Sequence, residues 1–301
     1  MRFTVDGDAW GMRIPLSHAV SHLAMIATLA AASGAASQAH ADSRLQPAQH
    51  ARVALLSDHV AVSPGQAFMA GLRIVHDDGW HTYWSNSGDS GLATRYTWTL
   101  PAGAQAGDIR WPFPERLPFG PLTNFGYSGA LLLPAELRVP TDAKPGERFR
   151  ASLRARWLIC ADTCIPDEAT LALDLPIADG AQASADAPLF REALARVPTP
   201  LRAAQGHSWR DATHVATQID AADFASGAAR IEVFPLTPQV VASSAINAQL
   251  GGDGALRFRH PASDAFDRMP ARVDWVIGVT RRDGRFDAFQ VSLPGDDARA
   301  P

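Results

Sequence analysis

The chain has two cysteines in 301 residues, four apart in the run Trp157-Leu158-Ile159-Cys160-Ala161-Asp162-Thr163-Cys164-Ile165-Pro166. Thiols at that spacing can exchange a disulfide with another protein, close a structural staple, or hold a soft metal ion. An extended strand carries residues four apart to roughly 13 Å, beyond the limit of about 7 Å between the Cα atoms of a disulfide. A bonded pair therefore requires the chain to turn at Ala161-Asp162-Thr163, and Asp and Thr suit a turn because their side chains bond nearby backbone groups. Pro166 discourages a helix beyond it, so a hairpin tip or a tight loop beside a strand is the expected setting. As a staple the bond would close only a short loop, worth on the order of 2 kcal/mol. That is little for a domain with an ample core, so exchange ranks first, with the inert staple and the metal site behind it.

The elements that must position this turn read as strands. From Arg52 onward, Arg52 to Leu56, Phe68 to Val75, Thr94 to Leu100, Leu131 to Val139, Phe149 to Ile159 and Thr170 to Leu175 are short apolar or alternating runs broken by Gly and Pro, the pattern of a β-sandwich. Two stretches rich in aromatics, Gly and Pro interrupt the series: His76 to Gly91, and Trp111 to Gly129. Most of their tryptophans are expected in the core, while some aromatics are expected to cover the cysteine turn as a mobile flap. Gly88-Asp89-Ser90-Gly91 lacks the Gly-x-Ser-x-Gly spacing of a nucleophile elbow and reads as a turn.

Around this domain, residues 1–41 read as a signal peptide: an apolar, alanine-rich run from Leu23 to Ala36 precedes Ala39-His40-Ala41, with cleavage expected before Asp42 and Met12 as an alternative start. Export places the cysteines where a disulfide persists, so the expected location is periplasmic. Residues 42–178 form the sandwich, 179–205 a linker with a short helix near Leu189 to Val197, and 206–301 a second, smaller strand-rich domain, read as a degenerate sandwich with no assigned chemistry. The composition is that of an ordinary globular protein, 47% hydrophobic and 19% charged. A net charge of −4 and a single lysine, Lys144, leave no basic patch for nucleic acid.

The Cys160-x3-Cys164-Ile165-Pro166 turn, the run Gly79-Trp80-His81-Thr82-Tyr83-Trp84-Ser85-Asn86-Ser87-Gly88-Asp89-Ser90-Gly91, and Trp111-Pro112 followed by Phe119-Gly120-Pro121 together resemble the exported N-terminal region of the DsbD/ScsB thiol:disulfide interchange family. The resemblance is strong over about Val53 to Ile177, and the three-residue spacer favours the ScsB-like, suppressor-of-copper-sensitivity branch. It implies an immunoglobulin-like domain in which Cys160 and Cys164 are the redox pair of a protein-disulfide reductase system. Electrons would come from a membrane-embedded thiol reductase and pass to exported thioredoxin-like or disulfide-isomerase-like proteins, with no cofactor. In the family an aromatic cap loop covers the pair. Its counterpart here is Asn124 to Gly129, with Phe125 and Tyr127 as the shielding candidates, and Tyr83 matches a family aromatic near the site. The family's membrane helices and terminal thioredoxin-like domain have no counterpart in the 301 residues, so the chain is expected to be part of a longer system or to work with a separately encoded donor.

The local charges point to a restrained thiol pair. Asp162, Asp167 and Glu168 lie close in sequence and nearby carboxylates raise a thiol pKa, while Arg154 and Arg156 sit further up the strand. Asp162 is the candidate proton acceptor, and Cys164 the cysteine that by analogy forms the mixed disulfide. The rival from another class is a Cu(I) protein using Cys160 and Cys164, with His81 or His76 as a further ligand. Against it, the five methionines form no Met/His-rich tract.

Overall fold

The computed structural model describes residues 44–297 apart from 212 and 265–267; the expected signal peptide lies outside the described residues. The first domain runs β1 (Ala51–Ser57), β2 (Ala67–His76), β3 (His81–Gly88), β4 (Arg95–Thr99), β5 (Gln105–Ile109), β6 (Glu115–Phe119), β7 (Leu122–Ser128), β8 (Ala130–Arg138), β9 (Arg148–Cys160) and β10 (Cys164–Pro176). All pairings among them are antiparallel. One sheet has the order Gln46–Ala48, β1, β2, β8, β5, and the other β10, β9, β3, β7, β6, with β4 also on β9. Their inner faces supply alternate apolar residues to one core, among them Leu72, Ile74 and Leu133 from the first sheet and Trp84, Leu153 and Ile159 from the second. The result is the sandwich expected from the spacing of the strand-like runs, with the immunoglobulin-like fold that the family resemblance implied.

After the sandwich, α1 (Ala187–Ala195) begins at Asp186 with a proline in its first turn, where the missing N–H costs nothing. It packs Leu189, Phe190 and Ala193 onto Ala54, Leu56 and Leu132, on the outer face of the first sheet. The second domain holds β11 (Gln205–Asp211), β12 (His214–Asp220), β13 (Ala228–Pro235), β14 (Leu256–Pro261), β15 (Arg272–Arg281) and β16 (Phe286–Asp296). The strand-rich character follows the sequence, but its arrangement is not a pair of sheets. A single sheet runs β13, β15, β16, β11, β12, β14 and on to Ala248–Leu250, whose end returns against β13. The sheet thus curls toward a barrel around Trp275, Val233, Ile277 and Val291.

The two cores meet. Phe234 on β13, Val276 on β15 and Ala288 on β16 pack into the core of the first domain. Phe234 sits edge-on to Trp84, Phe113 and Phe125, with centroids 6.2, 5.1 and 5.2 Å away. Asn86 Nδ2 donates to the Pro235 carbonyl at 2.8 Å, and the Arg116 guanidinium stands 4.0 Å over the Phe234 ring. Gly278 is what lets Phe113 in, since a Cβ there would fall 2.5 Å from the ring tip.

Candidate functional site

β9 and β10 form a hairpin whose ladder begins at Arg148 opposite Pro176 and closes at Cys160 opposite Cys164. Ala161 N–H donates to Thr163 O at 3.1 Å across the turn, and the cysteines are disulfide-bonded with Cα atoms 4.2 Å apart. The expected turn at 161–163 is therefore present, but β10 starts at the second cysteine, earlier than the sequence suggested. Pro166 does not stop it because β10 is an edge strand, where one missing N–H leaves no neighbour unpaired.

The two sulfurs are in different surroundings. Cys160 is fully buried, because it lies between β10 on one side and His81 of β3, its register partner, on the other. Cys164 is exposed at the end of the edge strand. Residues two apart on a strand share a face, so Tyr83 points to the same side as His81. Its hydroxyl donates to Cys160 Sγ at 2.8 Å and lies 3.5 Å from Cys164 Sγ. Burial pushes the Tyr83 phenol pKa up, opposed by a hydrogen bond with Ser90, so it remains a protonated donor.

What holds Tyr83 in place is the stretch read from sequence as a plain turn. Gly91, at φ +93°, lies flat on the ring, and a Cβ there would come within 2.1 Å of it. The loop is tied down by Ser87 Oγ to the Gly91 carbonyl (3.1 Å), by Ser90 N and Oγ to Asn124 Oδ1 (3.1 and 2.9 Å), and by a reciprocal pair between Asp89 and Thr123. Two glycines flanking two hydroxyl or carboxylate residues directly after an aromatic strand was the signal available in the sequence.

Phe125 and Tyr127 are elsewhere. The segment Asn124 to Gly129, expected as a cap loop, is largely strand β7, with His81 opposite Ser128, Thr82 opposite Tyr127 and Tyr83 opposite Gly126. Directly opposed residues share a face, so Tyr127 and Phe125 go with Thr82 and Trp84, on the side away from the sulfurs. Tyr127 donates its hydroxyl to the Pro112 carbonyl at 2.6 Å, and Phe125 is buried against Trp84 and Phe234. Neither shields the disulfide; both belong to the core. The aromatic beside the turn is Phe119, at the tip of the β6–β7 hairpin, which with Pro118, Leu122, His81 and Asp162 lines a cleft of about 480 Å³.

Asp162 sits exposed in the turn at this cleft. Of the other carboxylates, Glu168 takes both oxygens to Arg154 Nη2 at 2.9 Å, and Asp167 accepts from the Gln49 N–H. His76 is not available as a metal ligand, since Nδ1 meets the Gly129 carbonyl at 2.7 Å and Nε2 meets Thr82 Oγ1 at 3.0 Å. Among the described residues no group of three or more His, Cys, Asp or Glu side chains is arranged to hold a metal, so a copper site would be left with the two sulfurs and His81.

A disulfide at a hairpin tip with one sulfur buried and one exposed suits exchange chemistry, and residues 52–176 match the family described as thiol:disulfide interchange protein DsbD, N-terminal. These residues belong to the DsbD N-terminal family. In fold, the chain is similar to the N-terminal periplasmic domain of ScsB from Proteus mirabilis, at 20% identity and TM-score 0.60, over 83% of this chain and 94% of that one. The likeness thus extends well past the DsbD-like domain into the second. The major pilin subunit BcpA of Bacillus cereus, 8% identical with a TM-score of 0.22 over 82% of this chain and 70% of its own, carries no argument. No curated protein matches the chain. Among the described residues no helix is long and apolar enough to cross a membrane.

Proposed function

We propose that the chain is a periplasmic electron-transfer module. Cys160 and Cys164 receive two electrons from a membrane-embedded thiol reductase and deliver them to an exported thioredoxin-like or isomerase-like protein, in the ScsB-like setting of copper tolerance. The observation that carries the reading is the asymmetry of the pair, with Cys164 exposed at the hairpin tip and Cys160 buried under the Tyr83 hydroxyl.

The asymmetry assigns the steps. A donor thiolate reaches only Cys164 Sγ; as that bond forms, the Cys160–Cys164 bond breaks and Cys160 leaves as a thiolate, which the Tyr83 hydroxyl stabilises by a charge-assisted hydrogen bond. A second donor thiol then attacks the donor sulfur of the mixed disulfide and frees Cys164, leaving the donor oxidised and the module a dithiol. Delivery runs the same path backwards, with Cys164 attacking the acceptor disulfide and Cys160 closing on Cys164. In this reading Asp162, exposed in the same turn, exchanges protons with Cys164.

The test is the equilibrium reduction potential of the pair, by thiol trapping across dithiol buffers. A value of roughly −120 to −270 mV supports a relay, while one below about −300 mV marks a structural bond and overturns it. Trapping with an acceptor separates the two sulfurs: Cys160→Ser should accumulate the mixed disulfide, and equal trapping by Cys164→Ser would defeat the assignment of Cys164 as the attacking thiol.

A further inference from the structure

Among the described residues, His81 is the one titratable side chain that faces Cys160 and has no task in the steps above. It is the register partner of Cys160 across β3 and β9, so the two side chains leave the sheet on the same face, about 5 Å apart at Cβ. The imidazole is 7% exposed and stands edge-on to Tyr83, centroids 5.3 Å apart. Its Nε2 is buried and has no hydrogen-bond partner among the described residues. A buried polar atom without a partner is uncommon and calls for an explanation. In the oxidised protein the Cys160 sulfur carries no proton and Tyr83 serves it; in the dithiol, Cys160 Sγ–H becomes a buried donor in search of an acceptor.

We infer that His81 is the proton acceptor for Cys160, taking the thiol proton on its free ring nitrogen when Cys160 closes on Cys164. The inference rests on the exchange reading and concerns its slowest-looking requirement, a thiolate generated out of contact with water. The step balances. The proton of Cys160 Sγ–H moves to His81, the sulfur's electron pair forms the bond to Cys164 Sγ, and the bond from Cys164 to the acceptor sulfur breaks. The acceptor leaves as a thiolate, which can take up the proton, so the acceptor disulfide has been reduced by two electrons and the module oxidised.

The surroundings keep the imidazole neutral and ready. Burial lowers the His81 pKa below the usual histidine value. The groups facing it are Tyr83 on its own strand, Cys160 on β9, and Ser128 on β7, which bonds Glu115 at 3.2 Å; Asp162 lies across the cleft, and His76, bonded to Thr82 on the other face of β3, is near enough to interact with His81 electrostatically. Nothing in that set is an ion pair that would hold the imidazole charged at neutral pH.

The experiment uses the reduced full chain and an aromatic disulfide, 5,5'-dithiobis(2-nitrobenzoate). The exposed Cys164 takes up one aryl thiol, and Cys160 then expels it in a second, intramolecular phase read by absorbance. For the wild type the second phase should change little between about pH 6 and 8, because the base is already neutral. His81→Gln should slow it by about tenfold or more at neutral pH, restore a rise of about a decade per pH unit, and converge with the wild type above the thiol pKa. A slowing that is equal at every pH, or none, overturns the inference. If wild type itself shows no second phase, the exchange reading fails instead, so the two are separable. Should His81→Gln not fold, nitrogen NMR of the wild-type imidazole decides: the inference requires the Nε2 signal to shift on reduction of the disulfide, and an unchanged signal overturns it.

Discussion

At the scale of single residues the site is a matter of which atoms meet the buried sulfur. In the dithiol, the Tyr83 hydroxyl that now donates to Cys160 favours the thiolate, and a hydrogen bond to a charged group is worth about 1.5–3 kcal/mol, or about one to two pKa units. Tyr83→Phe is therefore expected to raise the Cys160 thiol pKa by about one unit or more in a titration of thiolate absorbance; an unchanged curve would mean the hydroxyl does not face the reduced sulfur. His76 makes a separate prediction about stability. Burial, helped by the charge of His81 and opposed by the Gly129 carbonyl, brings its pKa down to about 4 from the usual 6.5. The unfolded chain then binds a proton that the folded one refuses, so stability is full above about pH 6.5 and falls as the pH drops toward 4, by up to about 3 kcal/mol. Urea unfolding at the two ends of that window should show the loss in wild type and much less of it in His76→Gln, whose amide can still donate to Gly129. The residues that meet at the turn were legible in the sequence, the cysteines by their rarity and Tyr83 by the family resemblance of its run. Phe125 and Tyr127 were not, because the face they occupy depends on register, and a shift of one position exchanges the two faces of a strand.

At the scale of elements, the site is the end of one long hairpin wedged against β3, with the Gly88–Gly91 loop as the seat of its tyrosine. Gly91→Ala tests that seat. The new methyl would collide with the Tyr83 ring at a backbone angle that L residues rarely adopt, so a cost of about 1–3 kcal/mol is expected in denaturant unfolding. Displacement of Tyr83 from the sulfurs should accompany it, seen as faster reduction of the disulfide by a small dithiol. Wild-type stability and reduction rate would together show that the loop simply moves aside. The strands that alternate cleanly, such as Arg148–Cys160 with its buried Phe149, Leu153 and Ile159, could be read from their period. β7 could not, since Leu122-Thr-Asn-Phe-Gly-Tyr-Ser looks like a Gly-rich loop, and becomes a strand because β3 and β6 pair with it on both sides. The glycine is required there by that pairing: a Cβ on Gly126 would sit 2.0 Å from the Thr82 carbonyl.

For the whole molecule, the second domain completes the hydrophobic core of the first, directly behind the site. Trp84 follows Tyr83 in β3, and from the opposite face of that strand it meets Phe234 of the second domain. Nothing in a single sequence marks Phe234, Val276 and Ala288 as belonging to the core of a domain whose last strand ended at Pro176, because strand periodicity says which residues are buried and not what covers them. The consequence is mechanical coupling. Two domains that share a cluster of Trp84, Phe113, Phe125 and Phe234, with Arg116 Nη2 donating to the Val233 carbonyl at 2.5 Å across the same junction, should unfold as one unit, giving coincident transitions by far-UV and near-UV signals. Phe234→Ala removes a fully buried ring and is expected to cost about 3–5 kcal/mol, with the transition of the disulfide-bearing domain lowered although the substitution lies outside it. If that domain, followed by exposure of the Cys160–Cys164 bond to a reductant during the melt, opened at its wild-type midpoint in Phe234→Ala, the cores would be neighbours only. The second domain would then have no part in holding the β3 strand on which His81 and Tyr83 are carried.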